Sequence, residues 1–491
     1  MLVYFSQSAT WSYLFANGHS ENFSVPPSSK VGDLKILAQK FFRKRFLRLV
    51  TEEGYNLIDP LQLQAAGLQD GDHLTAIVGP ARLAATEGAF ALWSPGGDEV
   101  VTWGNPKFGG DSSAVQDQLR SVRRVSSTTR AFAAILGDGS VVSWGHPDFG
   151  DSSAVQDQLR SVQEVQATSK AFAAIVANGS VVTWGNPDFG GDSSAVQDQL
   201  KESVQQIQAK NFAFAAILGD GAVISWGYPG LGGDSSAVQH QLRSVKQIQA
   251  SAGAFSAILE DGFVTTWGLP SSGGDSSSVQ DRMRSVKQIQ ATSSAFAAIL
   301  QDGSVVTWGH LYYGGDSVAV QHQLRSVQQI QATRSAFSAI LKDGSIVTWG
   351  DPSSGGDSSA VQDKLGSAQK IQATCAAFAA ILEDGSVVTW GAPKFGGDSS
   401  AVQGRLRNVQ HIQATDRAFA AILEDGSIVS WGDPKFGGDC SAVQDQLRNV
   451  QQVQATDKAF AAILEDCAIV TWGEAEYGGD SSSVHDQLRN V

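Results

Sequence analysis

From about residue 80 to the end of the chain, apolar and polar positions repeat one pattern ten times. Each round opens with a short, partly alternating stretch such as QQIQAT, which suits a strand with one wetter face. A run of consecutive apolar residues follows, typically AFAAIL, then an acidic residue, Asp-Gly, and a second apolar run, SVVTWG. Consecutive apolar residues predict strands buried on both faces, as in a sheet stacked between two others. Asx-Gly joins the two runs in eight of the ten rounds, for example at Asp138-Gly139 and Asn178-Gly179. That dipeptide between apolar runs predicts a two-residue hairpin with both turn residues at positive φ.

Tryptophan marks the period, at 103, 144, 184, 226, 267, 308, 349, 390, 431 and 472, a spacing of 40 to 42 residues. Three such strands cannot bury two apolar faces alone, but stacked neighbours can. After each Trp-Gly comes a variable loop and then GGDSSAVQDQL or a close variant. In the first unit Asp111 or Ser113 is placed to cap a short helix, with Gln116 completing a capping box. Val115, Leu119 and Val122 give that helix an apolar stripe. Residues 1–79 lie outside the repeat and read as two strands, a helix, and further strands closing through HLTAIV. Val31, Leu34, Leu37 and Ala38 form the helix's apolar face, with Ser29 or Asp33 as its cap. The expected division is 1–79 and 80–491.

Composition narrows the class. The chain has 491 residues, 42% of them apolar, enough for a large core; 52 glycines against 13 prolines indicate tight turns. Net charge is −14, and residues 1–80 are balanced, so the excess lies in the repeats. An acidic surface repels phosphate backbones, so nucleic acid is not an expected partner. Cys375, Cys440 and Cys467 occupy unrelated repeat positions, neither a disulfide framework nor a zinc spacing, and free thiols suit a reducing compartment. The N-terminus lacks a basic leader, and no apolar stretch approaches a membrane span. The expectation is a monomer of the cytoplasm or nucleus.

No nucleotide-binding loop is present, and the eight histidines are scattered without a convergent set. Asp111, Asp151, Asp192, Asp234, Asp275, Asp316, Asp357, Asp398, Asp439 and Asp480 recur once per unit. Calcium favours such carboxylates, but helix capping accounts for them without an ion. The repeat tryptophans are read as core. No catalytic, cofactor-binding or metal-ligating residue is assigned, no cofactor is expected, and the chain is read as a non-enzyme.

Residues alike in all units serve the fold, so those that differ are the ones able to single out a partner. Two places vary most. One is the pair before Ala-Phe, which supplies Arg130, Lys170, Phe212, Arg334, Arg417 and Lys458. The other follows Trp-Gly and supplies Lys107, Phe108, Phe149, Tyr312, Tyr313, Lys394, Phe395, Lys435, Phe436 and Tyr477. Both lie at strand ends, hence on rims of the stack, and aromatic and basic residues are enriched at interfaces. In the N-terminal segment Lys40, Arg43, Lys44, Arg45 and Arg48 make a basic run, either a solvated face or a contact for an acidic partner.

The signature AFAAIL-DG-SVVTWG followed by a glycine loop resembles the repeats of the regulator of chromosome condensation family, whose units close into a β-propeller. The resemblance covers about residues 80–491. It implies a mainly β fold, a propeller-type array of ten three-stranded blades with short helices. GGDSSAVQDQL departs from that family's loop, and ten units depart from its usual seven. A ten-bladed ring, a seven-plus-three split and an open spiral all fit. Residues 1–79, in particular AAGLQDGDHLTAIV, resemble the ubiquitin-like domains, which are α+β folds of the β-grasp type. Their last strand runs on into Gly79-Pro80-Ala81, so this domain is expected to dock and not to be conjugated. Such propellers also occur in HECT-type ubiquitin ligases, which implies a protein-binding scaffold or adaptor recognising substrates in the ubiquitin pathway. The chain ends at the tenth repeat without a nucleophilic catalytic domain, so it is not expected to be such a ligase itself. The family also implies two alternatives, a guanine-nucleotide exchange factor for a small GTPase and a propeller-type enzyme inhibitor. The even spacing leaves no room for the protruding element that exchange requires.

Overall fold

The computed structural model describes residues 10–14, 20–25, 28–42, 47–51, 55, 57, 61–68, 74–97 and 99–488. The N-terminal segment contains β1 (Thr10–Leu14), β2 (Ser20–Ser24), α1 (Val31–Phe42), β3 (Leu47–Thr51) and β4 (Leu74–Val78). Its sheet order is β2-β1-β4-β3. β1 runs antiparallel to β2 and parallel to β4, and β3 runs antiparallel to β4. Val31, Leu34 and Ala38 of α1 pack with Leu49, Leu63 and Leu74. Asp33, not Ser29, supplies the side chain that caps α1, accepting the Lys30 N–H at 2.9 Å. Arg43, Lys44 and Arg45 of the basic run, and the side chains of Lys40 and Arg48, lie outside the described residues.

Each repeat folds into one three-stranded antiparallel sheet. In the first unit the strands are β5 (Arg82–Ala85), β6 (Ala89–Trp93) and β7 (Val100–Gly104), with β6 in the middle. The alternating first strand of each unit lies innermost, where the first strands of successive units meet. The middle strand is buried on both faces, as its unbroken apolar run predicts. In the second unit Ala131, Ala133 and Ile135 face unit 3, and meet Val165, Phe172 and Trp184 there. Phe132 and Ala134 face the other way, onto Ala89, Ala91 and Trp93 of unit 1. In each unit the middle-strand Phe stacks on its own Trp with centroids 5.1 to 5.3 Å apart.

The ten units form a single closed ring. Ala459, Ala461 and Ile463 of unit 10 pack against Phe90, Leu92 and Trp103 of unit 1, as any two successive units do. The Trp103 Nε1–H donates to the Gly478 carbonyl at 3.1 Å. The same bond links Trp144 to Gly109 of the preceding unit at 3.1 Å. The split array and the open spiral are thereby excluded.

Two local expectations are corrected. The hairpins are not two-residue turns with both central residues at positive φ. Leu136 N–H donates to Ser140 O and Gly139 N–H to Leu136 O, which closes a three-residue loop. Only its last residue is left-handed, Gly139 at φ 80°. Asp138 instead accepts the Ser140 N–H on its side chain at 2.9 Å, so its own φ stays negative. The predicted helix is a 3-10 helix, Ser113–Gln118, with Ser112 at its N-cap. Asp111 stands one residue earlier and accepts the Ser113 N–H at 2.9 Å. Gln116 does not close a capping box; its Nε2 donates to the Val100 carbonyl at 3.1 Å, tying the helix to the outer strand. The other nine recurrent aspartates repeat the Asp111 contact.

Candidate functional site: the loop face and its funnel

Both variable places come to the same face of the ring. The chain leaves the inner strand and enters the middle strand there, and the loop after Trp-Gly returns to it. A threonine ties the two together. Thr168 Oγ1 accepts the Ala171 N–H at 3.0 Å and donates to the Phe189 carbonyl at 2.9 Å, anchoring the loop aromatic beside the turn. Thr86, Thr292, Thr374, Thr415 and Thr456 make the same donation to their own loops.

The turn residues next to these threonines face the axis. Their backbones form a belt in which one unit's N–H donates to the next unit's carbonyl. Nine such bonds of 2.9 to 3.1 Å run from Glu87→Thr129 round to Asp457→Glu87. The step between Asn211 and Ala252 lacks this bond among the described residues. Lys210 stands there in place of the threonine, the inner strand runs one residue further, and Asn211 is turned to φ 25°. The belt encloses an open funnel of about 940 Å³, lined by all ten units.

Glu87, Asp416 and Asp457, from units 1, 9 and 10, bring three carboxylates to one side of this mouth. Burial, then the charges of Asp416 and Glu87, push Asp457 up to about 7. Burial also raises Glu87, against the pull of Arg130. Arg334 of unit 7 reaches across unit 8 to Asp416, with Nη2 3.1 Å from Oδ2. Cys375 donates its thiol to Asp416 Oδ1 at 2.9 Å, and burial with that bond drives its pKa far up. A thiol so held is not an activated nucleophile. Among the described residues no three His, Cys, Asp or Glu side chains are placed to hold a metal.

Outside the funnel the other expected residues interlock. Arg130 lies over the rings of Phe108 and Phe149, at 4.8 and 5.4 Å. Lys170 spans Phe149 and Phe189, at 5.3 and 4.5 Å. Arg417 bridges Phe395 and Phe436, and Lys458 bridges Phe436 and Tyr477. Phe212 continues the series between Phe189 and Tyr228. Unit 1 has Gly88 in place of a cation, and there Phe108 meets Tyr477 directly at 5.9 Å. A band of alternating rings and cations thus covers units 8 to 10 and 1 to 4. Each cation joins two units, so the band braces the ring as well as marking its surface, but Phe149, expected on the rim, is buried in the core between units 2 and 3.

The remaining expected residues divide. Lys107, Lys394 and Lys435 are exposed beside the band. Tyr313 packs edge-on against His310 at 5.0 Å, while Tyr312 is exposed. Arg334 belongs to the funnel, not to the band. Sequence reading missed Phe189, Glu87, Lys210 and the apolar trio Tyr228, Leu269 and Leu311. Phe189 and Lys210 sit at repeat positions where comparison of the ten units exposes them. Glu87 was hidden by the degenerate first unit, TEGAF.

No family model matches the chain, and no curated protein does. Solved structures similar to it include yeast RCC1 (Prp20) bound to Kap60, at 16% identity and TM-score 0.35, covering 78% of this chain and 88% of that one. Prp20p from Saccharomyces cerevisiae, from a structure that also treats its binding to Gsp1p and histones, aligns at 13% identity and TM-score 0.33, covering 77% and 86%. The computationally designed Ika8 protein aligns at 14% identity and TM-score 0.31, covering 64% and 96%. At such scores these likenesses decide nothing about this chain, whose ring rests on its own unit-to-unit contacts.

Proposed function

We propose that this chain is a non-catalytic protein-binding scaffold that engages its partner through the loop face. One observation carries the reading. The positions at which ten near-identical units differ most gather on a single face, and they are rich in the aromatic and basic types that dominate interface energetics. The opposite, hairpin face repeats Asp-Gly turns with little change. The funnel offers no activated nucleophile, and its carboxylates lie against one another and Arg334, an arrangement suited to recognition. The N-terminal domain is the docking half of this proposal. Its mixed sheet, with α1 across it, is compatible with a ubiquitin-like module that meets ubiquitin-pathway components in the cytoplasm or nucleus while the ring holds a client.

The test is affinity capture from native lysate with three forms of the full chain. One is unchanged, one carries Leu311→Ser, Tyr312→Ser and Lys394→Ser on the loop face, and one carries Lys342→Ser and Glu424→Ser on the hairpin face. Partners lost only with the loop-face form support the proposal, and partners lost only with the hairpin-face form overturn it. Capture of a single small GTPase, strongest after its nucleotide is stripped, replaces the scaffold reading with exchange.

A further inference from the structure

The aromatic and cationic band is incomplete. In units 5 to 8 the residues that would carry its cations are Gly253, Ser294, Ser335 and Ala376. Small side chains there leave a notch in the band, a sector without bracing cations. On units 5 and 6 its outer edge is apolar and open to solvent. Leu311 is 67% and Tyr312 77% exposed on unit 6, Leu269 is exposed on the neighbouring unit 5, and Tyr228 on unit 4, where the band ends. Inside them Gly253 is buried; a Cβ built on it would lie 3.0 Å from Leu231 Cδ2, 3.2 Å from Ser272 Oγ and 3.5 Å from Leu269 Cβ, so the loop side chains pack down onto the turn. Large apolar side chains exposed together on successive units are costly to leave in water unless something covers them.

The charge of the mouth selects what covers them. The whole net charge of −14 lies in the repeats. At the mouth Asp416 is paired with Arg334, while Glu87 and Asp457 meet Arg130, Arg334 and Lys458 only at longer range. The band's cations are committed to aromatic faces. An incoming cation thus finds under-neutralised carboxylates, and an incoming anion does not find free cations in the notch.

We propose that the notch of units 5 to 8 binds a segment of a partner protein in which arginine or lysine accompanies bulky apolar side chains. The apolar residues cover Leu311, Tyr312 and Leu269, and the basic residue enters the funnel toward Glu87 and Asp457. This rests on the scaffold reading above and adds to it the chemistry of the partner and the sector used.

The probe is a phage-displayed library of random linear peptides selected on the immobilised full chain, with the enriched peptides remade and titrated by fluorescence anisotropy. The expected sequences combine a basic residue with large apolar ones. Leu311→Ser with Tyr312→Ser should weaken them at least tenfold, and Glu87→Gln with Asp457→Asn about fivefold with a flatter salt dependence. Both pairs reach solvent, so circular dichroism should show unchanged folding. Lys342→Ser on the hairpin face should change nothing. Enrichment of acidic or purely polar peptides, or of none, overturns this inference and leaves the scaffold reading standing. Peptides weakened only by hairpin-face changes overturn both. Concentration-dependent dimerisation in sedimentation, abolished by the Leu311 and Tyr312 changes, would assign the notch to a second copy of this chain and so overturn the inference as well.

Discussion

At the scale of single residues, the exceptions to the repeat show what each position does. In units 2 to 9 the last residue of the hairpin loop is a left-handed glycine, and in unit 10 Cys467 takes its place at φ 70°. Elsewhere a Cβ here would collide with the next unit, as Gly139 shows with Ser161 Cα at 2.7 Å. Unit 10 is followed by unit 1, which the chain enters from Gly79-Pro80 without that serine. The cysteine thus escapes the collision but keeps the backbone strain. Cys467→Gly should raise stability by about 1 kcal/mol, read as a higher urea midpoint at unchanged slope. Asp457 gives a second prediction. Its folded pKa of about 7 stands above the ordinary 3.8. Its stabilising contribution is therefore complete below about pH 4 and is lost as pH rises through about 7. Asp457→Asn should flatten the fall in urea midpoint between pH 5 and pH 8 and leave the variant more stable than its parent at pH 8. A midpoint for the variant that falls as steeply as the parent's would place that titration elsewhere.

At the scale of the element, each unit depends on a glycine loop that presents a carbonyl to the next unit's tryptophan. Unit 2 is one glycine short. Its loop tightens into the α-turn Pro147–Gly150, and Trp184 Nε1, fully enclosed, is left without a partner among the described residues. Every other repeat tryptophan has that bond, at 3.0 to 3.1 Å. Inserting a glycine after Gly150 should restore the acceptor and stabilise the ring by about 1 kcal/mol, the order of a buried donor regaining its bond. The measurement is the urea midpoint with Trp184 fluorescence; a red-shifted indole would mean the loop had opened instead. The hairpins teach a related lesson. Asp-Gly announces a tight turn, but an aspartate able to hold a following N–H with its own carboxylate leaves only the glycine left-handed. The composition of the turn was legible, while its type depended on a side-chain bond two residues on.

At the scale of the whole molecule, closure makes the first and last units neighbours. Truncation after Asn449 removes unit 10 and should expose the faces carrying Phe90, Trp103 and the ninth unit's partner surface at once. We expect a loss of several kcal/mol and rapid proteolysis, well beyond what one surface unit is worth, because two apolar interfaces vanish together. Equal protease resistance of the truncated and full chains would mean that the units stack without closing. Apolar periodicity, a local property, was enough to define the units: their number, their three strands, their doubly buried middle strand and the tryptophan core. Departures from a repeat are also visible without coordinates, and they pointed to Arg130, Lys170, Arg417, Lys458 and all of their aromatic partners but Phe189. Closure with ten units was settled in three dimensions, since a few degrees between neighbouring sheets separate a ring from a spiral and no residue encodes that angle alone. Folding likewise brought Glu87 beside Asp457, 370 residues apart in sequence, and set Arg334 against Asp416 across an intervening unit. Those meetings depend on the accumulated rotation of the units around the axis, which sequence separation does not reveal.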